Sequence, residues 1–351
     1  MQMAALQSGR TAIFNKKTGF YGKKQVVERV ICQMKKTKTS GDQNRIEIRK
    51  KPLKQRLWNA RGYYLMFLPV LIFVAVVKYW PILGIRWSFY KYTPVGKPSW
   101  VGMANFTKMF STQAFWTSFK NTLELSIMKL LITTLASVII SVFLNEMGNL
   151  LAKKTLQTVI YLPHFLSWTV VASIFTMLLS TSVTGTVNGI LKDWGLIKEG
   201  INFLSDKALW RPVFYIINIW KETGWGTIIF LATLSGINPE LYEAADIDGA
   251  SRLQKIWFVT MPALANTIIT VLILNLAKVM NMFESVFVLY SPSVYDKSDV
   301  ISTYIYRQTF SNAMPNYGYS TAVGLFKALV GGALVIICNY LSKKTRGRGI
   351  V

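Results

Sequence analysis

The sequence predicts an all-α, polytopic integral membrane protein with six transmembrane helices and both termini in the cytoplasm. Three observations carry this. Hydrophobic residues make up 52% of the 351 and charged residues only 16%, with a mean hydropathy of +0.33, a balance typical of membrane proteins. Six stretches approach the ~20 mostly apolar residues that a ~30 Å hydrocarbon core demands. Finally, half of the 40 Lys and Arg residues lie at the two chain ends, the asymmetry that fixes orientation.

Residues 1–61 come first and hold 16 basic residues against three acids, Glu28, Asp42 and Glu47. No apolar run of 7–15 residues follows the early basic cluster, so a cleavable signal peptide is not expected. The segment reads as a basic cytoplasmic tail, with a second pull from anionic lipid headgroups worth about 1 kcal/mol per basic residue. A net charge of +24 also raises nucleic acid as a partner. No aromatic-interleaved RNA motif or zinc spacing supports that reading.

The six spans are expected at 62–82, 121–144, 158–180, 211–236, 263–288 and 320–341, within a membrane domain of 62–341 followed by a basic tail, 342–351. Aromatic residues flank the first span, as interfacial anchors do. The fourth is the least apolar, because Lys221-Glu222 interrupts it. With tails inside, loops 145–157 and 237–262 are cytoplasmic, and 83–120, 181–210 and 289–319 are outside. Loop 83–120 dissents, having five basic residues and no acid, but the tails outweigh it.

The inside loop after span four contains Asn238-Pro239-Glu240, a helix start with a cap residue, Pro in the first position and acids in the first turn. Gly249 can end that helix, and Pro262 is expected to open the next span. Glu243-Ala244-Ala245, three residues, Gly249, nine residues, then Val259-Thr260-Met261-Pro262 resembles the EAA motif of binding-protein-dependent ABC importer permeases. Val259 and Met261 stand where Ile and Leu are usual. The blocks Tyr79-Trp80-Pro81-Ile82, Tyr161-Leu162-Pro163-His164-Phe165, Trp220-Lys221-Glu222-Thr223-Gly224-Trp225-Gly226-Thr227, Asp296-Lys297-Ser298-Asp299-Val300 and Tyr319–Phe326 are similar to the polysaccharide/aldouronate branch of the maltose-type sugar permeases. The likeness covers most of residues 60–345 and leaves the tail 1–61 unexplained.

The resemblance implies a multi-pass subunit of the bacterial cytoplasmic membrane that imports oligosaccharides. It implies that the EAA helix between spans four and five docks on a cytoplasmic ATPase, with Glu243, Ala244, Ala245, Asp248, Gly249, Arg252 and Pro262 as coupling residues. The implied partners are a second, related permease, two ATP-binding subunits that hold the ATP and magnesium, and an extracytoplasmic solute-binding protein. A permease for peptides, amino acids or ions would share the loop but not the flanking blocks.

Other chemistry is poorly supplied. Cys32 and Cys338 are too isolated for a disulfide framework, and His164 is the only histidine, which argues against a His-rich metal site or a Ser-His-Asp triad. No Gly-x4-Gly-Lys-Ser/Thr loop occurs to cradle phosphates, so no catalytic or cofactor site is expected in this chain. Asp246-Ile247-Asp248 resembles the Asp-x-Asp clamp of a membrane glycosyltransferase, but positions i and i+2 do not share a helix face.

Ionisable residues inside spans are costly and are functional candidates by default. The spans carry Lys78, Lys129, Lys221, Lys278 and Lys327 against Glu124, Glu222 and Glu284. Lys78 is expected to snorkel to the outer interface. Lys221 and Glu222 are expected to face the bundle, either satisfying neighbouring spans or touching cargo. Lys129, Lys221, Glu222, Trp225, Lys278, Asn281 and Glu284 form the candidate substrate path. His164, Phe165, Trp168 and Trp225 read more readily as packing than as sugar platforms. The excess of Lys over Glu favours an anionic, uronate-containing oligosaccharide, because opposite charge offsets desolvation.

Overall fold

The computed structural model describes residues 58–346 apart from 183 and 184, together with Pro52 and Gln55. The expected basic tail 1–61 thus lies almost wholly outside the described residues. Helix makes up 76% of the structure, and the strands found are one antiparallel pair of two residues each, β1 Tyr90–Lys91 and β2 Ser99–Trp100. The chain divides into two units, Met1–Val74 and Ala75–Val351.

In the first unit α1, Arg61–Val74, has no buried residue and carries Pro69 internally. The second unit opens with a π turn, Ala75–Tyr79, and a 3₁₀ stretch, Trp80–Phe89. Then follow α2 (Ala104–Ser111), α3 (Gln113–Asn145), α4 (Leu150–Tyr161), α5 (Trp168–Leu178), α6 (Thr186–Asp193) and α7 (Trp210–Leu234). The chain continues with α8 (Glu240–Ile247), α9 (Arg252–Lys255), α10 (Met261–Leu276), α11 (Glu284–Phe287), α12 (Tyr295–Ser298), α13 (Ile301–Tyr306) and α14 (Tyr317–Arg346).

Among the described residues, four helical stretches are long and apolar enough to cross a bilayer: Arg61–Phe89, Gln113–Asn145, Arg252–Leu276 and Tyr317–Lys344. The third expected span is broken into Leu150–Phe165 and Trp168–Leu178, bent by 103°. The fourth is α7, 25 residues long and less apolar, as its Lys221-Glu222 foretells.

Boundaries differ from the hydropathy reading for identifiable reasons. Helix α3 starts at Gln113 rather than 121, because Phe115 and Ser118 are buried against the rest of the unit. The fifth stretch begins at Arg252 rather than 263, so Pro262 sits inside a continuous helical run. A π turn, Ile256–Thr260, immediately precedes it. Proline lacks an N–H and its ring crowds the carbonyl four residues back, and widening the turn relieves both. The same stretch stops at Leu276, not 288, and Val279–Asn281 forms a 3₁₀ turn. The carbonyl of Val279 accepts a 2.8 Å bond from Ser126 Oγ of α3, a tertiary tie that no local signal announces.

The core is built mainly by α3 against α7. Leu125, Phe214, Ile217 and Val286 form one cluster, and Val138, Phe230, Leu234 and Leu264 another further along the same helices. The segment 289–311 is pinned by Asp299. Its carboxylate accepts from Ser118 Oγ at 2.8 Å and Thr303 Oγ1 at 2.7 Å and pairs with Arg307. Asn121 Nδ2 donates to the Asp299 carbonyl at 3.1 Å.

Candidate functional site

The block 220–227 on α7 places one wall of the site, each residue by a different contact. Lys221 is 4% exposed, and its Nζ donates to the carbonyls of His164 (2.9 Å) and Leu166 (2.8 Å). Those carbonyls lie where the third span breaks, so the ammonium satisfies groups that the interrupted helix leaves without partners. A Cβ on Gly224 would sit 2.2 Å from the Ile160 carbonyl oxygen. Only glycine lets α7 approach the first half of the broken span this closely. Thr223 contributes its carbonyl, which accepts from Ser137 Oγ of α3 at 3.1 Å.

With Lys221 turned into the break, its neighbours Glu222 and Trp225 face a cavity of about 890 Å³. From α3 it is lined by Ser126, Lys129, Thr133 and Thr134, and from α5 by Trp168. The segment beyond the end of α10 supplies Lys278, Asn281 and Glu284. Six of the seven substrate-path candidates therefore meet in one space, and Lys221 stands behind its wall. Lys327, on α14, is also elsewhere, its Nζ 2.9 Å from Ser302 Oγ.

The cavity mixes aromatic faces with charges. The Trp168 ring has Lys129 Nζ at 5.8 Å and Lys221 Nζ at 5.3 Å from its centroid, within cation–π range. Trp225 is 51% exposed and stacks on the His164 ring at 4.9 Å and 12°. His164 Nδ1 lies 3.4 Å from Glu222 Oε2, so the histidine backs the wall. Among the described residues no acid lies within 4 Å of Lys129 or Lys278, and no base within 4 Å of Glu284.

Sequence reading overlooked the hydroxyl stripe of α3. Ser126, Thr133 and Ser137 share a face with Lys129 at helical spacing, and a polar stripe in an apolar helix was the available signal. Trp168, read as packing, packs against the Leu125 cluster and also lines the cavity.

The second element of interest is the loop between α7 and α10. Asn238 Oδ1 accepts the Glu240 N–H at 3.1 Å and its Nδ2 donates to Glu240 Oε2 at 2.9 Å, opening α8. Gly249 closes it with φ +73°, a conformation costly for any residue with a Cβ. Ser251 and Gln254 form a capping box at α9, and Lys255 Nζ meets Asp246 Oδ1 at 2.6 Å. Tyr242 Oη and Thr260 Oγ1, 2.9 Å apart, tie α8 to the π turn. Glu243, Ala244, Asp248 and Arg252 are exposed, and Ala245 is half-buried. Ile247 and Leu253 are 87% and 70% exposed, an apolar pair that the loop itself leaves uncovered.

Residues 134–347 match the family described as "Binding-protein-dependent transport system inner membrane component". Protein LplB of Bacillus subtilis (strain 168) is 40% identical over 82% of this chain and 90% of its own length. The polygalacturonan/rhamnogalacturonan transport system permease protein YteP of the same organism is 38% identical over 86% of this chain and 94% of its own. Among solved structures, a bacterial ABC transporter that imports the acidic polysaccharide alginate has a chain 36% identical to this one. It superposes with a TM-score of 0.76 over 84% of this chain and 99% of that one.

Proposed function

The chain belongs to the binding-protein-dependent transport system inner membrane components, and from that premise we propose that it is a permease subunit of an ATP-driven importer of uronate-bearing oligosaccharides. One observation carries the substrate class: Lys129 and Lys278 face a cavity of about 890 Å³ beside Trp168 and Trp225, with no acid within 4 Å of either ammonium among the described residues. An unpaired ammonium in a membrane cavity is expensive, and a sugar carboxylate would offset that cost. Indole faces suit the apolar faces of pyranose rings, while Glu222, Asn281 and Glu284 can accept or donate hydrogen bonds to their hydroxyls. YteP is a polygalacturonan/rhamnogalacturonan permease and the structural neighbour serves alginate, both in keeping with this charge pattern.

ATP hydrolysis falls to a partner ATPase, which would bind the ATP and magnesium. Exposed Glu243, Ala244, Asp248 and Arg252, with Ile247 and Leu253, form the surface it engages. Half-buried Ala245 packs the helix beneath, Gly249 shapes the turn and Pro262 the following helix. Six membrane crossings with both termini cytoplasmic place this loop inside. One such subunit makes half of a pathway, so a second permease completes it and closure of an ATPase pair rocks the two halves. A solute-binding protein delivers cargo from outside, as the crystallised alginate importer has a periplasmic protein bound to alginate pentasaccharide.

The test is uptake of trigalacturonate and maltotriose by cells carrying Lys129→Gln or Lys278→Gln. Selective loss of trigalacturonate uptake, tenfold or more, is expected. Equal loss of both sugars, or of neither, would remove the substrate assignment.

A further inference from the structure

The cavity occupies only one face of α3. Ser126, Lys129, Thr133 and Ser137 line it. At about 100° per residue, Gln113, Trp116, Thr117, Lys120 and Glu124 point to the opposite face at the other end of the helix. There they line a second pocket, of about 440 Å³, together with Arg211 and the 296–297 segment. That volume falls within the range of small-molecule sites, roughly 300–1,000 Å³.

The chemistry of this pocket is selective. Its two acids are engaged: Glu124 by Arg211, and Asp296 by Lys207 at 3.1 Å. Arg211 is itself fully directed, since Nη2 donates to Asn121 Oδ1 at 2.8 Å and Nε to the Lys297 carbonyl at 3.1 Å. Lys120 and Lys297 are exposed and, among the described residues, have no acid within 4 Å. Trp116 is held by its Nε1 bond to the Phe110 carbonyl, 2.8 Å, which leaves the 42%-exposed ring available. The Gln113 amide and Thr117 hydroxyl complete the wall. Two free ammonium groups, an indole face, an amide and a hydroxyl are the groups that recognise a carboxylated pyranose.

We propose that this pocket is a second saccharide site, specific for a uronate unit, on the outer surface and off the translocation path. The proposal rests on the importer reading and on the topology that puts the N-terminal end of α3 outside. Because the pocket lies across α3 from the cavity, an occupied pocket leaves the conduit clear. It gives a long acidic chain a foothold on the permease while a shorter stretch is being taken in.

Calorimetric titration of the whole transporter in nanodiscs with trigalacturonate, and with maltotriose as the uncharged control, tests this. Wild type should show two classes of trigalacturonate site. Lys120→Gln/Lys297→Gln should weaken one of them at least tenfold, in a salt-dependent manner, and Lys129→Gln/Lys278→Gln should weaken the other. A pocket variant that titrates like wild type overturns the proposal while leaving the cavity reading intact. So does a pocket variant with unchanged sugar binding that needs more solute-binding protein to stimulate ATP hydrolysis, since the pocket would then hold an acidic protein loop. Wild type that binds maltotriose but no trigalacturonate overturns the uronate reading itself.

Discussion

Replacing Lys221 by Met keeps most of the length of the side chain and removes the two bonds that hold the break of the third span. Hydrogen bonds to charged groups contribute about 1.5–3 kcal/mol each in soluble proteins, and interhelical bonds in membranes roughly 0.6–2. The carbonyls of His164 and Leu166 would then lack their donor, while the cost of burying an ammonium would disappear. Together these give a net loss of about 2–4 kcal/mol. The break carries His164 and precedes Trp168, so the Trp225 stack and the Trp168 face should loosen with it. Thermal unfolding of the purified transporter should drop by several degrees, and trigalacturonate and maltotriose uptake should fall together. That common loss separates Lys221 from Lys129 and Lys278, whose loss is selective. Lys221→Arg, which retains donors, should recover part of both. An unchanged unfolding temperature with selective loss of the acidic sugar would refute the clasp and make Lys221 a cargo contact.

Three further outcomes are expected. Gly224→Ala should destabilise by about 1–3 kcal/mol, the usual range for overpacking, although alanine favours helices; a melting temperature at or above wild type would contradict the 2.2 Å approach. Burial pushes the Asp299 carboxyl above its ordinary pKa, with Arg307 and two hydroxyls pulling the other way. Arg307→Met should therefore cost about 3–5 kcal/mol at neutral pH. Part should return as pH falls through the raised folded-state pKa, because protonation removes the unpaired charge; a deficit that stays flat as pH falls would refute this, since a solvated Asp299 would keep its ordinary pKa in both states. Gly249→Pro, which cannot adopt φ +73°, and Glu243→Lys, on an exposed position, should each abolish co-purification of the ATPase, and its retention in both would remove the docking assignment.

Much of this fold was legible because its signals are local. Asn238-Pro239-Glu240 and Gly249 bound a helix of eight residues, each end set by backbone chemistry that sequence displays. The charged candidates Lys129, Lys221, Glu222, Lys278 and Glu284 could be nominated because charge in an apolar stretch is conspicuous. Sequence could not separate Lys129 from Lys221, since both are lysines in apolar helices. Whether an ammonium meets a cavity or two carbonyls depends on where another helix breaks. The end of α10 was hidden for the same reason: Leu276 to Phe283 contains neither Gly nor Pro, and the turn is held by Ser126, 153 residues away.

The helical run Arg252–Leu276 has a mechanical consequence. At about 1.5 Å per residue its 25 residues form a rod of roughly 37 Å, with the exposed Arg252 and Leu253 at one end and Lys278 just past the other. A pivot of about ten degrees at the loop end sweeps the far end through roughly 6 Å. Lys129 sits on a different helix and need not follow, so the spacing of the two ammonium groups is a gauge of the loop's position. A probe pair on α3 and at residue 278 would read the swing of this lever directly.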